Sequence, residues 1–152
     1  MADNREPELL EVGSDAPDFT LTSAYGEPFT LSELRDRMNA CLFFYPPHET
    51  PTNGEQLSSA RDDRDRFIGA DVERIGLNPG SLEENQRFAQ LHELDFPLLV
   101  DADLEVARRY HAAPPDESRV LRTVYVVDKQ GKIAYASRGV PKTDEILRAL
   151  EA

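Results

Sequence analysis

The sequence predicts a single α/β domain, a three-layer sandwich with a mixed central sheet and an N-terminal hairpin. Three observations predict it. Apolar runs alternate with helical patterns along the 152 residues. The run Ala40–Tyr45 is apolar throughout, which is typical of a central strand covered on both faces. A hairpin signal near each end adds antiparallel strands to strands that helices connect in parallel.

The strands are bounded by turn residues. The N-terminal hairpin is formed by extended pieces on either side of the turn Ala24–Glu27. The last hairpin turns at Asp128–Gly131. The other predicted strands are Ala40–Tyr45, Val72–Leu77, Phe96–Val100, Val120–Val127 and Lys132–Arg138.

Each predicted helix has an N-terminal signal or an apolar face. Thr50 is a good N-cap, and Pro51 suits the first helical position. Ser81–Glu84 forms a capping box, and Thr143 is expected to cap the final helix. The first long helix is expected to place one face inward, made of Leu57, Ala60, Arg64, Phe67 and Ile68.

The chain ends and the cysteine content indicate the setting of the protein. Residues 1–11 are polar and predict a flexible tail, and residues 12–152 predict the folded domain. The start has no basic segment followed by an apolar one, so a cytoplasmic location is expected. A single cysteine excludes an internal disulfide framework and a cysteine-cluster metal site.

The charge is strongly negative. Twenty-nine acidic residues against 17 basic ones give −12, which would repel nucleic acids and anionic membranes. Lysines are few, namely Lys129, Lys132 and Lys142. An acidic, lysine-poor composition is typical of halophile proteins and equally of a high-GC genome that favours arginine codons, and the sequence leaves both origins open.

One segment carries a family resemblance. Residues 42–51 resemble the active-site strand and loop of peroxiredoxins, and residues 12–21, 96–101 and 122–133 resemble three further segments in the same order. The similarity is greatest to the bacterioferritin-comigratory branch of the alkyl hydroperoxide reductase/thiol-specific antioxidant superfamily. It implies a thioredoxin-like fold, which agrees with the α/β order above, and an antioxidant oxidoreductase ancestry.

The resemblance also implies a site. The family pattern is Pro, three residues, Thr or Ser, two residues and Cys, with a distant Arg. Here Pro46, Thr50 and Arg122 match it, but Asn53 stands where the peroxidatic cysteine would be. An amide cannot form a thiolate or a sulfenic acid. Ser58 likewise stands where this branch often has its resolving cysteine.

The remaining candidates allow two interpretations each. Cys41 lies inside the apolar strand and is expected to be inert, and its alternative role is a displaced nucleophile. Asn53 either stabilises the first helical turn or binds a ligand, and the structural role is favoured. Arg122 is either a remnant of peroxide chemistry or the partner of an acidic side chain.

The sequence therefore predicts a non-peroxidatic member of the family, with a degenerate pocket at Pro46, Thr50, Asn53 and Arg122. That pocket would bind a small polar ligand or anion, or serve a regulatory or partner role, and the family resemblance implies a homodimer. The alternative is a thiol peroxidase acting through Cys41. His48, His92 and His111 lack ligand spacing, so neither a metal nor a cofactor is expected.

Overall fold

The computed structural model describes residues 6–47 and 50–151. In this part of the chain a single mixed sheet contains seven strands in the order β2-β1-β5-β4-β3-β6-β7. The strands are β1 (Thr20–Ser23), β2 (Pro28–Thr30), β3 (Asn39–Phe44), β4 (Val72–Asn78), β5 (Leu98–Val100), β6 (Thr123–Val127) and β7 (Ile133–Arg138). The helices are α1 (Pro51–Asp62), α2 (Arg64–Gly69), α3 (Leu82–Leu91), α4 (Glu105–Arg109) and α5 (Thr143–Arg148), with a 3-10 helix at Leu31–Leu34.

The strand directions confirm the predicted mixed sheet. β3, β4 and β5 are mutually parallel, as expected for strands joined through helices. β1 pairs antiparallel with both β2 and β5, and β6 pairs antiparallel with both β3 and β7. The two predicted hairpins therefore form the two edges of the sheet.

The apolar core lies on both faces of β3. Leu42 and Phe44 face a cluster that includes residues of the 3-10 helix and α4, whereas Phe43 and Tyr45 face a cluster built with α1, α2, α3 and α5. Alternating side chains of one strand thus enter two separate layers of core. This arrangement confirms the three-layer sandwich.

The long helix predicted after Thr50 is interrupted at Asp63. The backbone of Asp63 (φ −89°, ψ 19°) ends α1, and α2 begins at the next residue. The interruption changes the helical phase, so Phe67 is buried while Ile68, predicted to face inward, is 47% exposed. Thr143 does not cap α5 as predicted, because its hydroxyl donates to the Asp63 carboxylate across the helix interface.

Part of the expected N-terminal tail is docked on the domain. The main-chain N–H of Leu10 donates to the Tyr125 hydroxyl at 3.1 Å, and Arg138 donates to the carbonyl of Pro7. Leu9 and Leu10 also pack against the core. Residues 7–10 are thus held by residues that are distant in the sequence. The local composition of the segment does not predict these contacts. Residues 1–5 lie outside the described part of the chain.

Candidate functional site

The fold brings the four predicted site residues to one end of the central sheet. Pro46 follows the carboxyl end of β3, and Thr50 and Asn53 begin α1. Arg122 directly precedes β6, and the antiparallel pairing of Phe44 with Thr123 places it beside the end of β3. Pairing between β3 and β6 therefore unites residues about 70 positions apart in the sequence. His48 and Glu49 lie outside the described residues.

Helix α1 begins as its sequence predicts. Thr50 has extended backbone angles, and its hydroxyl accepts a hydrogen bond from the main-chain N–H of Asn53 at 3.1 Å. Pro51 takes the first helical position, where no N–H is needed. Asn53 is thereby fixed in the first turn of the helix, with its side chain directed towards the sheet.

The Asn53 side chain bridges two separate segments. Its amide nitrogen Nδ2 donates to the carbonyl of Pro46 at 2.9 Å, and its oxygen Oδ1 accepts from Arg122 Nη2 at 2.7 Å. The residue is only 1% exposed. Both the donor and the acceptor of the amide are needed for this bridge, so a residue of similar shape that lacks either group would lose one of its two hydrogen bonds.

Arg122 is held by amide oxygens. Besides its bond to Asn53, its Nη1 donates to Gln56 Oε1 at 2.8 Å. In the described part of the chain no carboxylate pairs with Arg122, so the acidic partner, one of the two interpretations of this residue, is not observed there. Burial lowers the pKa of the guanidinium, but an arginine retains its proton at any physiological pH. The site therefore contains a half-buried positive charge surrounded by neutral amides.

Gln56 completes the site one helical turn after Asn53. It is 4% exposed, and its Oε1 faces Arg122. Its amide nitrogen Nε2 is buried and has no hydrogen-bond partner among the described residues. Turning the amide over would place its NH₂ against the guanidinium, so Arg122 fixes the orientation and leaves the Nε2 donor unsatisfied.

Behind the site lies a polar network that the sequence did not predict. The Tyr45 hydroxyl accepts from Asn78 Nδ2 at 2.9 Å, and Asn78 and Asn85 exchange hydrogen bonds at 2.6 and 3.2 Å. Burial raises the pKa of Tyr45, so its phenol stays neutral. These residues come from β4, α3 and the end of β3, and no local pattern relates them.

Cys41 lies away from solvent in the middle of β3. The residue is 0% exposed, and its strand neighbours are Arg74 in β4 and Val126 in β6. Burial raises the pKa of its thiol well above the ordinary value, and the charge of Arg74 offsets only part of that effect. The sulfur is therefore neutral and enclosed, as its position in an apolar strand predicted.

An open groove runs along the outer side of α1. Its lining residues are Thr50, Pro51, Gly54, Glu55, Ser58 and His92. Gly54 leaves room for His92, because a Cβ at position 54 would lie 2.7 Å from Cε1 of the ring and the ring would have to shift. Ser58 is half-buried in the groove wall and offers a hydroxyl where the family resemblance suggested a resolving thiol.

In residues 6–47 and 50–151, no three His, Cys, Asp or Glu side chains are grouped as metal ligands would be. Among the described helices, none has the length and apolar character needed to cross a bilayer.

The AhpC/TSA family model matches residues 12–136. The chain belongs to the AhpC/TSA family. It is 29% identical to peroxiredoxin Bcp of Bacillus subtilis, over 93% of this chain and 94% of that protein. It is 32% identical to a putative peroxiredoxin of Mycobacterium tuberculosis, over 91% of this chain and 92% of the relative. It is 33% identical to chloroplastic peroxiredoxin Q of Sedum lineare, over 92% of this chain and 77% of the relative.

Solved structures agree with this membership. The peroxidoxin BcpB of Mycobacterium tuberculosis superposes with a TM-score of 0.85 at 27% identity, covering 93% of this chain and 96% of that one. The bacterioferritin comigratory protein of Xanthomonas campestris has a TM-score of 0.79 at 21% identity, covering 93% and 95% of the two chains, which supports the fold alone. The predicted thioredoxin-like peroxiredoxin fold is thus confirmed. The predicted membership of the bacterioferritin-comigratory-like branch of the family is confirmed as well.

Proposed function

We propose that this chain is a non-peroxidatic member of the AhpC/TSA family. In this proposal Asn53 occupies the position of the peroxidatic cysteine, and the surrounding residues persist as a pocket for a small polar ligand or anion. The observation that carries it is the bridge from the Asn53 amide to Pro46 and Arg122. The Asn53 side chain that forms this bridge lies in the first turn of α1, where the family pattern has the reactive cysteine.

The chemistry of peroxide reduction supports the proposal. A thiolate attacks one peroxide oxygen, the O–O bond breaks, and the sulfur is oxidised to a sulfenic acid. A carboxamide has no comparable nucleophile, and the Asn53 oxygen already accepts from Arg122. The sequence contains a single cysteine, Cys41, and its sulfur is enclosed by the core.

The polar groups of the site support a binding role. Arg122 retains its charge and has unused N–H groups beyond its two bonds to amide oxygens. Such a group binds polar or anionic molecules without needing a thiol. A regulatory role, a partner protein and a homodimer remain part of the proposal, since none of them requires catalysis.

The alternative is peroxidase activity through Cys41, and a peroxide assay separates the two functions. The protein is mixed with hydrogen peroxide and dithiothreitol, and peroxide loss is followed for the wild type and for Cys41→Ser. The proposal predicts rates equal to buffer for both proteins. Turnover by the wild type that disappears in Cys41→Ser would establish the alternative.

A further inference from the structure

We propose that the surface beneath the N-terminal segment is a recognition site for a short acidic peptide of a partner protein. Residues 6–11, which we call the N-terminal strap, occupy this site until the partner peptide displaces them. The inference does not rest on the proposed function, because it concerns contacts of the strap with β6, β7 and the end of α4.

The strap is held through its main chain. Arg138 in β7 donates to the carbonyl of Pro7, and Nδ1 of His111 lies 2.6 Å from the carbonyl oxygen of Glu8. A carbonyl can only accept, so the His111 ring must carry a proton on Nδ1. Main-chain groups are present in every peptide, so these contacts would give affinity for a peptide from another protein as well.

Two leucines give the site a sequence preference. Leu9 and Leu10 are half-buried and pack against the core cluster that contains Tyr110 and Tyr125. The main-chain N–H of Leu10 donates to the Tyr125 hydroxyl at 3.1 Å, which fixes the position of the pair. A peptide with small or polar residues at these two positions would lose the apolar contact.

The charges around the strap favour an acidic peptide. The whole chain carries −12, yet the strap lies against His111 and Arg138. Glu117 and, more weakly, Glu6 raise the pKa of Arg119, so the Glu6 carboxylate is close to that guanidinium. Among the described residues the hydrogen-bond acceptors of Arg138 are neutral oxygens. A peptide with carboxylates beside its leucines therefore complements this part of the surface.

The strap is the part of the domain that can leave at least cost. Residues 6–11 contain no helix or strand, and the hydrogen bonding to β7 begins with Gly13, whose N–H donates to Ile133 at 2.7 Å. Terminal segments of this kind open more readily than the core does. The tether keeps the strap at a local concentration in the millimolar range, so a partner peptide must compete with it.

The test uses the full-length chain and a synthetic peptide of residues 6–11, labelled with fluorescein and amidated at its C-terminus. Fluorescence anisotropy measures binding to the wild type and to the double variant Leu9→Ala, Leu10→Ala, whose strap lacks its apolar anchors. We expect saturable binding to the double variant, roughly tenfold or more tighter than to the wild type, because the wild-type strap competes. Equal affinity for the two proteins, or saturation with neither, would overturn the proposal.

Matched changes assign the contacts. A peptide carrying Leu9→Ala and Leu10→Ala should not bind. His111→Asn, added to the double variant, removes the imidazole at a position whose φ of 56° asparagine tolerates, and it should weaken binding several-fold. Arg148→Gln removes an exposed cation from α5 and should leave binding unchanged. Binding that is insensitive to both the leucines and His111 would contradict the assignment.

The acidic character of the peptide is tested by salt. A peptide with glutamine in place of its three glutamates should bind more weakly than the native peptide at low salt, and the two should bind alike at about 1 M salt. Equal binding of the two peptides at low salt would contradict the proposed charge preference.

Two further measurements decide the remaining outcomes. If circular dichroism shows that the double variant does not fold, the Leu10 amide signal of the ¹⁵N-labelled wild type is followed instead. Excess unlabelled peptide should move it to the position of an unfolded chain, and an unchanged signal would overturn the proposal. Sedimentation tests a second copy as the occupant: a wild-type dimer that becomes a monomer in the double variant would assign the site to the strap of another copy and overturn the partner peptide.

Discussion

At the scale of single residues, the chemistry of the site depends on which atom occupies position 53. The amide of Asn53 donates to Pro46 and accepts from Arg122, whereas a thiolate could only accept. Arg122 could therefore donate to an asparagine or to a cysteine thiolate at position 53. The Pro46 carbonyl needs a donor, which the amide supplies and a thiolate does not. In the proposed function, asparagine at position 53 therefore keeps the contact with Arg122 and offers no nucleophile.

Cys41 should be unreactive in the folded protein. Burial raises the pKa of its thiol, so the thiol is not ionised at neutral or mildly alkaline pH. The side chain is also 0% exposed, so a reagent in solvent cannot reach the sulfur. We expect the thiol reagent dithiobis(nitrobenzoate) to label Cys41 only as fast as the protein unfolds, and to label it at once in urea. Rapid stoichiometric labelling of the native protein would contradict this expectation.

The same residue has a pH-dependent effect on stability. Above about pH 8.5 the thiol ionises in the unfolded chain but not in the folded one. The unfolded state then binds fewer protons, so stability decreases as pH rises. Cys41→Ala should reduce this part of the alkaline destabilisation, as measured by urea unfolding between pH 7 and pH 10.

The sequence predicted some of these residues and not others. Pro46, Thr50, Asn53 and Arg122 follow from the spacing of a known motif, and Cys41 follows from its apolar neighbours. The orphaned donor of Gln56 depends on an amide orientation that only Arg122 imposes. Tyr45 and Asn78 meet through the packing of neighbouring strands, and no local pattern contains that information.

At the scale of secondary structure elements, an ion pair between the buried Arg74 and the partly exposed Asp95 joins β4 to the segment after α3. Arg74 is 6% exposed and donates to both carboxylate oxygens of Asp95, at 2.9 and 2.8 Å. Its guanidinium also lies over the rings of Phe67 and Phe96. Removing the carboxylate would leave a buried cation with aromatic neighbours and one main-chain acceptor, Ala60.

Asp95→Asn should therefore destabilise the fold by about 2 kcal/mol, because Arg74 loses its counter-charge. Asp62→Asn is the matched control, since Asp62 is 67% exposed in its pair with Arg61 and should change stability by less than about 0.5 kcal/mol. Both free energies are measured by urea unfolding. Equal effects of the two changes would contradict this account of the Arg74 pair.

The Asp95 pair also gives a direction for acid unfolding. Burial alone raises the pKa of Asp95, but the hydrogen bonds and charge of Arg74 outweigh it and hold the pKa below its ordinary value. The pair therefore stabilises the fold above about pH 4, and this contribution is lost as pH falls through the lower folded pKa. Asp95→Asn should lack that acid-dependent contribution.

Element boundaries show where local patterns lose their predictive power. The capping box at Ser81 and the N-cap at Thr50 are local signals, and both are observed. The break at Asp63 is not signalled by a proline or a glycine, and Thr143 bonds Asp63 instead of capping its own helix. Contacts between elements, rather than helix propensity, decide both cases.

At the scale of the whole molecule, the net charge of −12 opposes compaction. Screening lengths fall from about 10 Å at 0.1 M salt to about 3 Å at 1 M, so added salt should relieve this repulsion. We expect the thermal unfolding midpoint to rise over that range, equally in sodium and potassium chloride. A midpoint that falls would show that the surface ion pairs outweigh the repulsion.

The claim most central to the account is that an amide at position 53 silences an otherwise complete site. Its most direct measurement is the rate of hydrogen peroxide consumption, with dithiothreitol as reductant, by the wild type and by Asn53→Cys. The account predicts no rate above buffer for the wild type and clear turnover for Asn53→Cys, because Thr50 and Arg122 already surround that position. An active wild type, or an Asn53→Cys protein that folds but does not react, would contradict it.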